Sequence, residues 1–509
     1  MDTNWDDDHD LVSRRQSSTL KPIRTDLKEE DAAAAARMGA ANIEELAPLS
    51  PMARLFHEPD CNLYIITIIG WKTQINIHAF KANLLCNLLH HPRFSSLQVL
   101  DEKKGKEMKW LPTKVDIENH VIVPQLKPNM ESPDQFVEEY ISNLSATTVD
   151  MSKPLWDLHI LNVKTSNAEA VSVFRFHHSL GDGTSLISLL LACTRKTSDP
   201  QALPSIPLTT SRPSSSSTMS FQYLWSFLWL AWNTITGIFM FLLTLLFLTD
   251  TKTPLSLTKA SSTTRRRIIH RTFSLDDVKL VKKATNTTIN NVMLGVTQAG
   301  LSRYLNRKYG NKAYFHCMVH SCNLPEKIRL RATHFINVRP KTGIHELAEM
   351  MKKGSKARWG NSIGYVLLPL TIALRDDPLD YVRGAKVAMD RKKASFEATC
   401  VSHMAKLIPK LFGFKAASIL SYRVPSRTTL WFSNVVGPQE EIGFIGCPIA
   451  YIAPSCFGQP SALMIHVVSY MDKITVVMSA DEDTIPNPQE LCDDLEESFN
   501  LIRATACHM

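Results

Sequence analysis

The sequence has no Cys-x-x-Cys pair. Its ten cysteines are scattered, and Cys317 and Cys322 have four residues between them. This argues against a zinc ribbon or a disulfide scaffold and suits a reducing compartment. No arginine-rich arm interleaved with aromatic residues is present, so a nucleic-acid partner is not expected. The opening MDTNWDDDHD is acidic and lacks an apolar h-region, so it does not read as a secretory signal. No internal repeat is visible. Excess of one sign of charge is also small, with 57 Lys and Arg against 49 Asp and Glu and a net charge of +8. An excess this small permits an anionic ligand or a membrane surface but demands neither.

What is present fits a folded chain, with 44% hydrophobic and 21% charged residues. At 509 residues it exceeds one ordinary core, so two domains are expected. Residues 1–46 read as an acidic and polar tail, with DAAAAARMGA (31–40) as a short helix. LSPMARLF (49–56) starts the ordered part, and CNLYIITIIGW (61–71) reads as a buried strand. AFKANLLCNLLHHPRF (79–94) places Phe80, Leu84, Leu85, Leu88 and Leu89 on one helical face and ends near Pro92. ALMIHVVSY and KITVVMSA (462–470 and 473–480) predict a hairpin about Met471 and Asp472. A closing helix over 487–502 carries Leu491, Leu495, Phe499 and Ile502 on one face. The expected units are thus the tail, a first half (47–200), a linker (201–270) and a second half (271–509) of mixed α and β structure.

The linker opens with a Pro/Ser-rich loop over 200–220. It continues as FQYLWSFLWLAWNTITGIFMFLLTLLFLT (221–249), a run without a charge. About 20 apolar residues cross a bilayer, so this run is long enough. Trp225, Trp229 and Trp232 in its front half form an interfacial signature. The competing reading is a very apolar core helix.

FRFHHSLGDGTSL (174–186) lies where a strand pattern (AVSVFRF, 170–176) gives way to a helix pattern (TSLISLLLACTR, 184–195). Neighbouring strand residues point to opposite faces, so His177 and His178 do not easily serve one site. One is expected to face inward and the other a cleft, which also weakens a shared-metal reading. An imidazole at a cleft is a natural general base near neutral pH. Gly181 and Gly183 permit a sharp turn and close approach. Asp182 caps the next helix or pairs with a basic side chain. His90 and His91 supply a control within the chain: a second His pair, with no glycine or acid behind it.

The string H-H-x-x-x-D-G resembles the active-site motif of the CoA-dependent acyltransferase superfamily. With LSPMARLF, PLWDLHI (154–160), FINVRP (335–340), GNSIGY (360–365) and FSNVVGP (432–438), it resembles the wax ester synthase/diacylglycerol acyltransferase family in its plant form. The resemblance runs from about Leu49 to the C-terminal helix. It implies a two-domain fold like that of chloramphenicol acetyltransferase, with the apolar helix inserted. It implies transfer of a fatty acyl group from acyl-CoA, as substrate, to a long-chain alcohol or diacylglycerol, with no metal or resident cofactor. By the resemblance, His178 is the base, His177 its structural neighbour and Asp182 an organiser of the loop. Asn434 is then the candidate to position or stabilise the oxyanion. Two departures stand out: Asn290-Asn291 where the family commonly has Asn-Asp, and Val436 where it commonly has Pro.

The implied location is the endoplasmic reticulum membrane with the site facing the cytosol, and the plasma membrane as a second location. A single span through 221–249 would put His178 and Asn434 on opposite sides of the bilayer. An interfacial or re-entrant helix is therefore expected. Three rivals remain. GNSIG (360–364) matches the G-x-S-x-G of hydrolases, with Ser362 as nucleophile, but the charged ELAEMMKKGSKARW (346–359) before it does not read as a strand. A soluble plant acyltransferase for small or phenolic alcohols shares the His motif, but its D-F-G-W-G string is absent. A decayed, non-enzymatic membrane tether conflicts with the intact His178 and Asp182.

Overall fold

The structure, a computed structural model, describes residues 46–101, 107–127, 130–204, 220–257, 264–310, 323–339 and 359–508. The tail with its short helix, most of the Pro/Ser loop, Cys317, Cys322 and residues 346–358 lie outside the described residues.

In the first half, helix α1 (Pro51–Leu55) starts where the Ser50 side chain accepts from the Ala53 amide. Strand β1 (Tyr64–Trp71) follows, buried on both faces. Helix α2 (Ile77–Cys86) is shorter than its apolar periodicity predicts, because the chain tightens into a 3-10 turn over Leu88–His90 before Pro92. Next come β2 (Ser96–Asp101), β3 (Glu107–Pro112), β4 (Val121–Ile122), α3 (Pro133–Ser145), β5 (Trp156–Leu161) and β6 (Ala170–His177). Then follow α4 (Gly183–Cys193), β7 (Arg195–Lys196) and the apolar helix α5 (Ser220–Leu246).

The second half begins with β8 (Arg266–Ser274), α6 (Leu275–Ala284), α7 (Ile289–Gly310), β9 (Leu330–Asn337) and β10 (Ile363–Leu370). It continues with α8 (Leu379–Lys393), α9 (Glu397–Arg423), β11 (Leu430–Val436), β12 (Ile442–Phe444) and β13 (Cys447–Phe457). The expected hairpin is β14 (Leu463–Tyr470) and β15 (Lys473–Asp481), turning where Met471 adopts a positive φ of 53°. The closing helix is α10 (Pro488–Cys507), whose Leu491, Leu495, Phe499 and Ile502 are buried as their spacing predicts.

One sheet has the order β4-β5-β6-β1-β13-β12-β7 and another the order β10-β9-β11-β14-β15-β8. The second half thus gives β12 and β13 to the sheet built on the first half. β1 lies between β6 and β13 and pairs antiparallel with both, Tyr64 standing opposite His177 on one side and Phe457 on the other. The fold is mixed α/β, and its two halves are joined by backbone hydrogen bonds.

That shared sheet decides the topology around α5. The helix joins halves that exchange strands, so no bilayer lies between them. Residues Leu224–Leu246 are long and apolar enough to span, roughly 34 Å at 1.5 Å per residue. Only the C-terminal part packs on the body, through buried Phe241 and Thr244. Asp250 then fixes the exit: it ion-pairs with Arg331 at 2.6 Å and accepts from the Thr429 amide at 2.9 Å. The front half stands clear, with Trp225 65% and Trp232 64% exposed.

Candidate active site

Strand β6 fixes which histidine faces the cavity. Ser172, Phe174 and Phe176 point into a cavity of about 290 Å³, and His178 follows them onto the same side. His177 and Arg175 fall on the other side. Arg175 donates to both Asp157 oxygens, at 3.0 and 2.6 Å. His177 is 1% exposed, with Nε2 placed 3.0 Å from the Phe56 carbonyl and Nδ1 2.7 Å from the Ser179 hydroxyl. Burial, with the neighbouring His57 and His178, pushes its pKa well below the ordinary value. A neutral ring with both nitrogens engaged holds the turn together.

His178 sits in a 3-10 turn, with its amide bonded to the Leu63 carbonyl at 2.9 Å. Its ring stacks on Phe56, centroids 4.4 Å apart. The Asn361 amide clamps it twice: Nδ2 donates to the His178 carbonyl at 2.9 Å, and Oδ1 lies 3.1 Å from His178 Nδ1. Because Asn361 Oδ1 only accepts, Nδ1 carries the proton and Nε2 keeps its lone pair. Burial lowers the His178 pKa from its ordinary 6.5, opposed by a bond to its own carbonyl, the Asp182 charge and the Asn361 bond. The ring is therefore neutral near pH 7, the state a base requires.

Asp182, 1% exposed, does both things open to it. Oδ1 accepts from the Ser185 amide at 3.0 Å and caps α4. Oδ2 accepts from Arg339 Nη1 at 2.7 Å and from the Ser362 amide at 2.8 Å. One carboxylate thus ties the His178 turn to FINVRP and GNSIGY of the second half. Gly181 serves approach rather than a left-handed turn: its φ of 168° is extended. A Cβ there would meet Ser185 Cβ at 3.0 Å and the Trp359 indole at 3.3 Å. Trp359 Nε1 donates to the Leu180 carbonyl at 2.7 Å across this contact.

The opposite wall corrects the expectation for Asn434. On β11, Trp431, Ser433 and Val435 line the cavity. Alternation turns Asn434 to the other face, where Nδ2 donates to Asn290 Oδ1 at 3.0 Å. Its side chain is not presented to an oxyanion beside His178. The polar groups on the cavity face are instead Ser433 and His466, paired in register across β11 and β14. Burial, and then the His178 charge, pushes the His466 pKa down to about 3, so it too is neutral. Asn291 is buried away from the cavity and donates to Thr287 Oγ1 at 2.8 Å, while Val436 is exposed at the strand end.

Sequence reasoning missed Asn361, Arg339, Ser433 and His466 as site residues. The first three lay inside quoted motifs. His466 carried only the alternation of the predicted hairpin. The hydrolase reading fails on position: Ser362 precedes β10 rather than ending a strand before a helix, and its amide, not its hydroxyl, meets Asp182.

The Wax ester synthase/diacylglycerol acyltransferase catalytic domain matches residues 72–293, and the WS/DGAT C-terminal domain matches residues 359–503. The chain belongs to the wax ester synthase/diacylglycerol acyltransferase family. Wax ester synthase/diacylglycerol acyltransferase 11 of Arabidopsis thaliana is 50% identical over 468 residues, covering 90% of this chain and 95% of that one. The protein numbered 4 in the same species is 47% identical over 475 residues, covering 91% and 90%. Among solved structures, the family member from Marinobacter aquaeolei VT8 aligns with a TM-score of 0.59 at 17% identity, over 91% of this chain and 100% of that one. The first condensation domain of the calcium-dependent antibiotic synthetase aligns with a TM-score of 0.54 at 10% identity, over 91% and 97%. The likeness to these two shows that the family shares its fold with condensation domains. The N-terminal family match ends just past Asn290 and Asn291, so the α7 start that holds Asn434 lies at the edge of the catalytic region.

Proposed function

We propose that this family member transfers a long-chain acyl group from acyl-CoA to a long-chain alcohol or to diacylglycerol, with His178 as general base. The observation that carries this reading is the Asn361 clamp, which leaves His178 Nε2 unprotonated in an apolar cavity. A hydroxyl is un-ionised at pH 7. Nε2 takes its proton as the oxygen attacks the thioester carbonyl, a contribution of about 10²- to 10⁴-fold. The tetrahedral intermediate bears one oxyanion, for which the Ser433 hydroxyl is the proposed donor. Collapse breaks the C–S bond, and the imidazolium returns its proton to the leaving thiolate. Ester and free CoA result, with His178 neutral again. Asp182 acts through the turn.

The cavity wall suits the substrates. Leu84, Leu88, Leu186, Leu189 and Leu190 on the first half, and Tyr365, Trp431 and Met464 on the second, offer apolar surface for alkyl chains. A soluble enzyme for small or phenolic alcohols has no use for the exposed front of α5. We assign that helix to the membrane interface with the cavity on the cytosolic side, at the endoplasmic reticulum, the location resting on the family resemblance. Purified full-length protein supplied with labelled acyl-CoA and, separately, hexadecanol or diacylglycerol tests the reaction. Labelled wax ester or triacylglycerol with equimolar free CoA is expected. Labelled free fatty acid as the sole product would contradict it.

A further inference from the structure

We propose that α9 is a second membrane-docking element, lying beside α5, and that it places the cavity wall it forms directly against a bilayer with anionic headgroups. This rests on the lipid-substrate reading above and extends it to a part of the chain with no transmembrane-like run.

The part of α9 before Gly413 runs beside α5 in the same direction. The Phe396 amide donates to Thr234 Oγ1 at 3.0 Å near the start of α9, and Glu397 packs over Gly237. Phe241 and Leu245 of α5 pack with Val401 and Met404 of α9. Past the break at Gly413 the chain comes back to the same end of α5, where Arg423 Nη2 donates to the Leu246 carbonyl at 3.3 Å.

Helix α9 carries apolar side chains on its solvent side as well as on the side that packs inward. Phe396, Leu407, Leu411, Phe412 and Ile419 are exposed, Phe412 to 70%. The helix also breaks where they are densest. Gly413 has φ 79° and ψ 167°, and a Cβ there would meet nothing, so the kink stands in open space with Leu411 and Phe412 at its tip. A protruding apolar tip beside an exposed apolar helix is a surface that water disfavours and a bilayer accepts.

Charge selects the bilayer over a second copy of the chain. From Ala398 to Arg423 there is no acidic residue, whereas Lys406, Lys410, Lys415 and Arg423 are basic. Lys410 and Lys415 are exposed on either side of the tip. A basic helix of this kind repels its own copy and is drawn to anionic lipid, each Lys or Arg near the surface adding to the attraction. The inner face of α9 closes the link to function: Val401, Ser402, Ala405, Ser421 and Tyr422 line the cavity that holds His178. Lipid acceptor held at the outer face is thus one helix away from the base.

Co-sedimentation of purified full-length protein with phosphatidylcholine vesicles, with and without phosphatidylserine, tests the proposal. One variant is Leu411→Ser with Phe412→Ser; the other is Lys406→Glu with Lys410→Glu and Lys415→Glu. None of these residues lines the cavity. The first variant is expected to lower the bound fraction on both vesicles about tenfold. The second is expected to abolish the preference for phosphatidylserine. Both keep the wild-type melting temperature and the wild-type rate on a water-soluble short-chain alcohol and acyl-CoA. Unchanged vesicle binding in both variants overturns the proposal, as does a change confined to oligomeric state by light scattering. If ester synthesis persists while vesicle binding ignores both variants, the α9 face is wrong and the reaction stands. If the wild type binds vesicles through α9 but makes no ester, the reaction is wrong and the face stands.

Discussion

At the His178 end of the cavity the polar groups are held by short hydrogen bonds; along α5 and α9, large apolar side chains are left in the open. The first region is specified by direction. Asp182 divides its two oxygens among a helix amide, a guanidinium and a loop amide, and Asn361 divides its amide between the carbonyl and the ring of His178. The second region is specified by composition alone, since the lipid contact proposed for it needs no fixed partners. Chemistry needs geometry held to a fraction of an ångström, whereas docking needs only area and charge. The two regions are therefore expected to fail differently, and substitutions in one leave the other working.

The largest separation is expected from His178→Ala. Ester synthesis at matched protein level falls about 10²- to 10⁴-fold, while vesicle binding and thermal melting stay at wild-type values. Ser362→Ala keeps most of the activity, because its amide rather than its hydroxyl serves the site. Loss of activity in the Ser362 variant alone would restore the hydrolase reading.

Next comes Asp182→Asn. The carboxylate is 1% exposed against an Arg339 side chain that is 5% exposed. Breaking a buried pair from one side costs about 3 kcal/mol or more. Chemical denaturation is expected to show that loss together with lower activity. An inactive variant with an unchanged denaturation midpoint would assign Asp182 a part in proton transfer.

Asn361→Ala is expected to be milder, roughly 10- to 100-fold in kcat with little change in KM, since it releases the ring rather than removing it. Asn361→Asp retains an acceptor for Nδ1 and is expected to recover part of the loss. A KM effect alone in the alanine variant would make Asn361 a substrate contact instead.

Why the clamp was invisible in the sequence is a matter of distance along the chain. The His178 side of the site was legible: strand alternation separated His177 from His178, and a cap position explained half of Asp182. The other half, Arg339, lies 157 residues away, and Asn361 lies 183 residues from His178. No local periodicity reports contacts of that span. Asn434 was misplaced for a related reason. The alternation of β11 is plain in FSNVV, but which face meets the cavity depends on its pairing with β14, and that face belongs to Ser433. The apolar run of α5 was legible from composition. Helix α9 was not, because no local pattern shows that the chain breaks at Gly413 and leaves Leu411 and Phe412 in the open.

A smaller effect, confined to the docking region, is expected from Trp225→Ser with Trp229→Ser and Trp232→Ser. These side chains are exposed, so melting changes little, while the vesicle-bound fraction drops about tenfold. A large fall in melting temperature would show that the front of α5 packs against protein.

The central claim is that a neutral His178 removes the proton, and the pH dependence of kcat/KM tests it most directly. Burial lowers the His178 pKa below 6.5, so the base is free at neutral pH and is lost by protonation only on the acid side. The account predicts a flat profile near pH 7 and a fall as pH drops through a value below 6.5, with that limb missing from the residual activity of His178→Ala. An acid limb that survives unchanged in the His178 variant would contradict it.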